Sequence, residues 1–180
     1  CWVCLVNIVT KKGERLSVTA DLLAGSSFQP KDEGDGSGIY AGNAAEVTGI
    51  FGTAQQNQLF SVAYSDYNGQ RYNSAGKNTR IFYNGNYALN KNNSIQAMAG
   101  HVHNHFGANG FYAAPGDVNS EEVTKSSVFS LSSRHIFGNF TLSPRISDRY
   151  GEDDYRYFRD NLPKICLDER LKTESGERIK

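Results

Sequence analysis

The sequence predicts an all-β protein, an antiparallel up-and-down meander that forms part of a transmembrane β-barrel. Three observations lead there. Apolar and polar residues alternate with a period of two in segment after segment, the repeat that sends successive side chains to opposite faces of a strand. The connections between these segments run long, short, long, short, long, short, the segregation of a barrel with short turns at one rim and long loops at the other. Finally, no run of about 18 apolar residues exists, which excludes a membrane-crossing helix but not crossing strands of about 10 alternating residues each.

The clearest alternation lies at Thr79–Leu89, where Ile81, Tyr83, Tyr87 and Leu89 share one face and Arg80, Asn84 and Asn86 the other. Asn90-Lys91-Asn92-Asn93 then tolerates tight-turn geometry. Ser94–His105 runs back with Ile95, Ala97 and Ala99 on one face and Met98, Gly100 and Val102 on the other.

From the start of the chain, Val3–Val9 reads as a short buried strand broken by Lys11-Lys12-Gly13. Leu16, Val18, Ala20, Leu22 and Ala24 alternate with Ser17, Thr19 and Asp21 in a second strand. Gly25–Gly42 has no periodicity and is expected to be an exposed loop. Ala45, Val47, Gly49 and Phe51 mark the next strand, Gln55-Gln56-Asn57 a turn, and Phe60, Val62 and Tyr64 the return. Tyr67–Asn78 and Gly107–Glu122 read as long polar loops on either side of the central hairpin.

Val123–Phe137 is a long strand, and Gly138-Asn139 a two-residue hairpin turn. Phe140, Leu142, Ile146 and Tyr150 lead away again, with Pro144 tolerable at a bulge or an edge. After Pro163 charged residues crowd a stretch without alternation. The expected organisation is therefore residues 1–13 before the barrel, 14–162 as about seven barrel strands, and 163–180 as a disordered or atypical tail.

Composition narrows function by exclusion. With 19 acidic and 19 basic residues among 180 there is no strong field and no basic patch with interleaved aromatics, so nucleic acid is not an expected partner. Three cysteines make no disulfide framework, and Cys1-Trp2-Val3-Cys4 precedes a strand rather than the helix a redox pair would open. The absence of an initial Met points to a removed leader or a piece of something longer. No nucleophile and base, phosphate loop or carboxylate pair stands in a catalytic context, so the chain is not expected to be an enzyme.

Candidate binding residues fall on the long loops. Tyr67, Arg71 and Tyr72, with Asn109, Phe111 and Tyr112, place aromatics and donors on two of them. Aromatic faces suit large planar ligands, although aromatics also collect at a membrane interface. Asp32-Glu33-Gly34-Asp35-Gly36 offers oxygen ligands without the spacing of an EF-hand; Asp32, Glu33 and Asp35 are the candidate metal ligands, and a solvated loop is the alternative. His101, His103 and His105 share one side of a strand, about 7 Å apart; they are expected to line the outer mouth of a lumen, with a metal site as the alternative.

Several segments carry a family resemblance. Val6-Asn7-Ile8-Val9-Thr10-Lys11-Lys12-Gly13 resembles the end of the plug domain of TonB-dependent outer-membrane receptors. Leu16-Ser17-Val18-Thr19-Ala20-Asp21 is similar to their first barrel strand, and Phe106-Gly107-Ala108-Asn109-Gly110-Phe111-Tyr112 resembles an outer-loop segment of the cobalamin and siderophore type. The resemblance implies a location in the outer membrane and energy-coupled uptake of a scarce nutrient. It implies three partners: membrane lipid, an inner-membrane energy-coupling protein and a small-molecule ligand held by outer loops. It leaves calcium as the one possible cofactor, at the acidic loop. Family members have a complete plug and barrels of roughly 22 strands, so the chain is expected to be an N-proximal fragment. The competing expectations are a small soluble or surface-attached β-barrel binding module and a non-functional remnant.

Overall fold

The computed structural model describes residues 16–30, 38–109 and 118–156. Among them there is no helix; eight strands form one antiparallel sheet. They are β1 (Ser17–Pro30), β2 (Ile39–Gly52), β3 (Gln56–Tyr67), β4 (Gly76–Ala88), β5 (Asn93–Gly107), β6 (Glu121–Phe137), β7 (Phe140–Leu142) and β8 (Arg145–Arg156). Each of β1 to β6 pairs with the next in sequence, while β7 and β8 both pair with β6. The order is that of an up-and-down meander, and β1 does not meet β8, so the sheet is open.

The β7 and β8 segments lie end to end along one side of β6. Phe137 faces Phe140, and Ser132 faces Arg145, so the pairing advances one residue for one residue through Pro144 with no bulge. The Ser133 amide donates to the Pro144 carbonyl at 3.0 Å; the reciprocal bond cannot form because proline has no N–H. Pro144 therefore interrupts an edge strand without shifting its register, and the sheet is seven strands wide.

Short turns are built by the residues the sequence marks for them. Asn90 Oδ1 accepts from the Asn92 amide at 2.9 Å and from Asn93 Nδ2 at 2.8 Å. Thr53 Oγ1 accepts from the Gln55 and Gln56 amides, which moves the turn to 53–55 and makes Gln56 the first residue of β3. Gly138 sits at φ 61° in the two-residue turn, the left-handed conformation such a hairpin requires. These turns occupy one rim, and Pro30, Ile39, Gly107 and Glu121 lie at the other with the connection 68–75.

The expected loop Gly25–Gly42 is a correction. Gly25 pairs with Gly42 and Ser26 with Ala41, so β1 and β2 extend well into it. Main-chain pairing needs no apolar side chain, so the small residues that erase the periodicity leave the ladder intact; on the β3 side a Cβ on Gly42 would stand 3.1 Å from the Tyr67 Cβ. An irregularity between Ser26 and Pro30 ends the regular ladder, with Phe28 at φ 54° and its amide bonded to Ser26 Oγ at 3.0 Å. Likewise Gly76–Asn78 belongs to β4 rather than to the preceding loop. Val3–Val9, the Cys1–Cys4 pair, the plug-like segment and the 163–180 tail lie outside the described residues.

The pairing register divides the sheet into two faces. One carries Val18, Leu22, Val47, Phe51, Phe60, Val62, Tyr64, Ile81, Tyr87, Ile95, Phe129, Leu131, Phe137, Phe140, Leu142, Ile146 and Tyr150, every one of them exposed. The other carries Thr19, Asp21, Glu46, Thr48, Ser61, Arg80, Asn84, Gln96, Asn104, Ser126, Ser130 and Arg149, and it is on this face that Leu59, Ala63, Asn84 and Glu122 are buried. Leu23, Tyr67 and Tyr155 are the large exposed apolar or aromatic side chains of the polar face. A water-soluble sheet buries its oily side; this one presents that side to its surroundings.

Candidate functional site

The polar face has its own hydrogen-bond network. Glu46 Oε1 accepts from Ser61 at 3.0 Å and from Thr48 at 3.3 Å, and Glu46 Oε2 lies 4.0 Å from the Arg80 guanidinium. These residues, with Asp21, Leu59 and Phe82, line a hollow of about 370 Å³. Further along, Gln96 Nε2 donates to the buried Asn84 at 3.1 Å, and Asn104 Nδ2 donates to Thr124 at 2.9 Å. Neighbouring strands thus join through polar side chains on this face.

At the rim of the long connections this face ends in a second arrangement. Tyr67, the last residue of β3, stands opposite Gly76, and Gly76 stands opposite Phe106 of β5. The glycine gap lets the Tyr67 ring lie across β4, so two aromatics border one hollow. Residues 68–75 fold tightly against the sheet. Asn68 fastens them to β2, its Nδ2 donating to the Ile39 carbonyl at 2.9 Å and its Oδ1 accepting from the Ala41 amide at 2.9 Å. Ser74 Oγ donates to the Arg71 carbonyl at 2.7 Å and accepts from the Arg71 amide at 3.1 Å, which fixes the backbone that carries Arg71.

Asn73 ties this connection to the next. It adopts φ 48°, a conformation asparagine tolerates better than most residues. Its Nδ2 donates to the carbonyls of Ser120 at 2.7 Å and Val118 at 3.0 Å, and its own carbonyl accepts from the Asn109 amide at 3.3 Å. Asn109 Nδ2 returns a bond to the Tyr72 carbonyl at 2.6 Å. Gly107 is required beneath, since a Cβ there would overlap the Asn73 backbone.

Tyr67, Arg71, Ser74, Phe106, Gly107 and Asn109 line the resulting hollow of about 290 Å³. Two flat rings, a guanidinium and an amide around one opening can grip a planar ligand by stacking and by charge-assisted hydrogen bonds. Of the residues expected to bind ligand, Tyr67, Arg71 and Asn109 come together here. Tyr72 contributes its carbonyl to the frame, while Phe111 and Tyr112 lie outside the described residues. Asn73, Ser74 and Phe106 were not anticipated as parts of the site. The one advance signal was Asn73 itself, a residue prone to positive φ in the middle of a polar connection.

The histidines lie on the face opposite the Glu46–Arg80 network. The register sets His101, His103 and His105 on the apolar-rich face, His101 opposite Ile81 and the other two nearer the long-connection rim. His101 Nδ1 is bonded to Ser127 Oγ at 2.9 Å, and His105 Nε2 to Glu121 Oε2 at 3.0 Å. Arg156 lies 2.8 Å from the other Glu121 oxygen. These two contacts, His105 first, hold the Glu121 carboxyl below the usual carboxylate range. His135 belongs to the opposite rim, bonded to Asn93 at 2.7 Å. Among the described residues no three His, Cys, Asp or Glu side chains gather as metal ligands would; Asp32, Glu33 and Asp35 lie outside them.

No protein-family model matches this chain, and neither does any curated protein or solved structure. The class defined by the fold is an open, antiparallel, all-β meander.

Proposed function

We propose that the chain is a section of the wall of an outer-membrane β-barrel receptor of the TonB-dependent kind. Its apolar face meets lipid, its polar face meets the lumen, and its long-connection rim grips a scarce small-molecule nutrient such as a siderophore or cobalamin. The observation that carries this reading is the division of the sheet. Large apolar side chains from Val18 to Tyr150 are exposed on one face, while Leu59, Ala63, Asn84 and Glu122 are buried among the hydrogen-bonded polar side chains of the other. That is the alternation of a strand standing between hydrocarbon and water.

Strand lengths support the same reading. Strands β1 to β6 have 12 to 17 residues, more than the roughly 9–11 needed to cross hydrocarbon. The surplus lies toward the long connections, where the apolar face gives way to Lys77, His103, His105, Glu121, Lys125 and Glu152. Phe51, Tyr87, Phe137 and Phe140 cluster by the short turns, the place for an interfacial aromatic girdle. The segment resemblances at 6–13, 16–21 and 106–112 supply the receptor family, and with it uptake driven by an inner-membrane coupling protein. Tyr67, Arg71 and Asn109 are the residues assigned to ligand contact, and no catalytic role is assigned to any residue.

The experiment is a solubility test on the purified chain. With lipid-facing side chains and both sheet edges unpaired among the described residues, it is expected to aggregate in water and disperse in detergent. A monomer in detergent-free buffer that melts cooperatively contradicts the reading.

A further inference from the structure

We infer that the polar face holds a second binding site, for a small oxyanion carrying at least two negative charges, formed by Arg134 of β6 with Arg145 and Arg149 of β8. The site lies in the short-turn half of the sheet, away from the rim hollow. It goes beyond the function proposed above, since it needs the polar face to be wet but does not need the other face to meet lipid.

The register gathers the three side chains. Arg145 stands opposite Ser132, and Arg134 is the next residue of β6 on the same face. Such diagonal neighbours are about 7–8 Å apart, within reach of long side chains. Arg149 lies two places beyond Arg145 on that face, with Ser147 between them, at about 7 Å per place. All three arginines are exposed, and Ser132 and Ser147 share the face with them.

Charge sets this patch apart. Arg80 and Arg156 are each matched with a carboxylate in the sheet, but among the described residues none of these three arginines forms an ion pair. The described carboxylates of the polar face lie elsewhere, Asp21 and Glu46 on β1 and β2, Glu122 and Asp153 toward the long-connection rim. A chain with 19 acidic and 19 basic residues thus concentrates unmatched positive charge on two neighbouring strands. A guanidinium stays charged at any working pH, and its planar fork of N–H donors meets carboxylate or phosphate oxygens two at a time. Three such forks beside two hydroxyls fit a ligand with several oxygens and more than one charge.

The test titrates the full chain, in an uncharged maltoside detergent at low salt, with inorganic pyrophosphate and separately with succinate. Heat and the arginine side-chain N–H resonances are the readouts. Saturable binding is expected for at least one of the two, and the tighter one tells phosphate from carboxylate. Arg134→Gln, Arg145→Gln and Arg149→Gln are each expected to weaken it about tenfold, the loss of one charge-assisted contact. Arg145→Lys keeps the charge without the fork and is expected to fall between. Lys125→Gln, which removes the same charge from the opposite face, is expected to leave binding unchanged. No saturable binding of either anion, or an equal loss in Lys125→Gln, would overturn the inference. Binding by a chain that proves soluble and monomeric in water would remove the membrane reading and leave this site standing.

Discussion

Tyr67 and Gly76 face each other directly across the β3–β4 ladder, and the phenol fills the space a Gly76 side chain would take. A Cβ built there would lie 2.5 Å from the Tyr67 hydroxyl oxygen and 2.6 Å from the ring carbon that bears it. An aromatic laid over a cross-strand glycine is a recurring device for holding an edge or rim in register. Here it also turns one wall of the rim hollow into a flat ring.

Replacing Gly76 with valine is therefore expected to displace that ring and to cost about 1–3 kcal/mol, the usual range for overfilling a packed site. In a Tyr67→Ala background the same substitution is expected to cost much less, since the space is then free. Denaturant titration of the four proteins in detergent measures the coupling, and strictly additive costs would refute the packing.

Asn73 provides a second prediction, because it combines a positive φ with two carbonyl contacts. Asn73→Gly keeps the backbone but removes the contacts, at about 0.5–1.5 kcal/mol each. Asn73→Ala adds a conformational penalty of roughly 1–2 kcal/mol. Limited proteolysis is expected to cut within 68–75 faster in both variants, with alanine the more susceptible. Equal rates in all three proteins would mean that the two connections are not held through Asn73.

Acid is expected to loosen the outer ends of β6 and β8. Glu121 is held below its ordinary titration range by His105 and Arg156, and a depressed carboxylate contributes stability above its unfolded pKa and loses it as pH falls through the folded one. The contact therefore persists at neutral pH and fails only below the usual carboxylate range. Exchange of the Arg156 amide, followed from pH 7 downward, should accelerate in that acid window. In Glu121→Gln the same amide should show no such acid-specific step beyond the intrinsic pH dependence of exchange.

The fold was legible because one signal, period-two alternation, recurs in Ala45–Phe51, Phe60–Tyr64, Thr79–Leu89 and Val123–Phe137, with asparagine or glycine turns between. Where small residues interrupt the alternation, as at Gly25–Ser26 and Gly42, the backbone still pairs and the sequence hides it. Tyr67, Arg71 and Asn109 could be proposed in advance as aromatics and donors on long connections. Their convergence could not, because it depends on Asn73, Gly76 and Gly107, whose roles come from backbone shape and close approach. The histidines show a related limit: alternation shows that three residues share a face, but only the register shows which face.

A charge placed on either side of the sheet distinguishes the two environments energetically. Val62→Lys, on the apolar face, is expected to cost about 2–4 kcal/mol in a bilayer, the range for a basic residue near the midplane. Ser130→Lys, on the polar face, is expected to cost little. Equal effects in lipid would argue against separate surroundings for the two faces.

The most direct measurement is a spin-label scan along β4 in lipid vesicles, one cysteine at a time from Thr79 to Tyr87, with Cys1, Cys4 and Cys166 replaced by serine. Collision with dissolved oxygen should peak at residues 79, 81, 83, 85 and 87, and collision with a water-soluble nickel complex at 80, 82, 84 and 86. A flat profile, or oxygen peaks at the even positions, would contradict the assignment of the oily face to lipid.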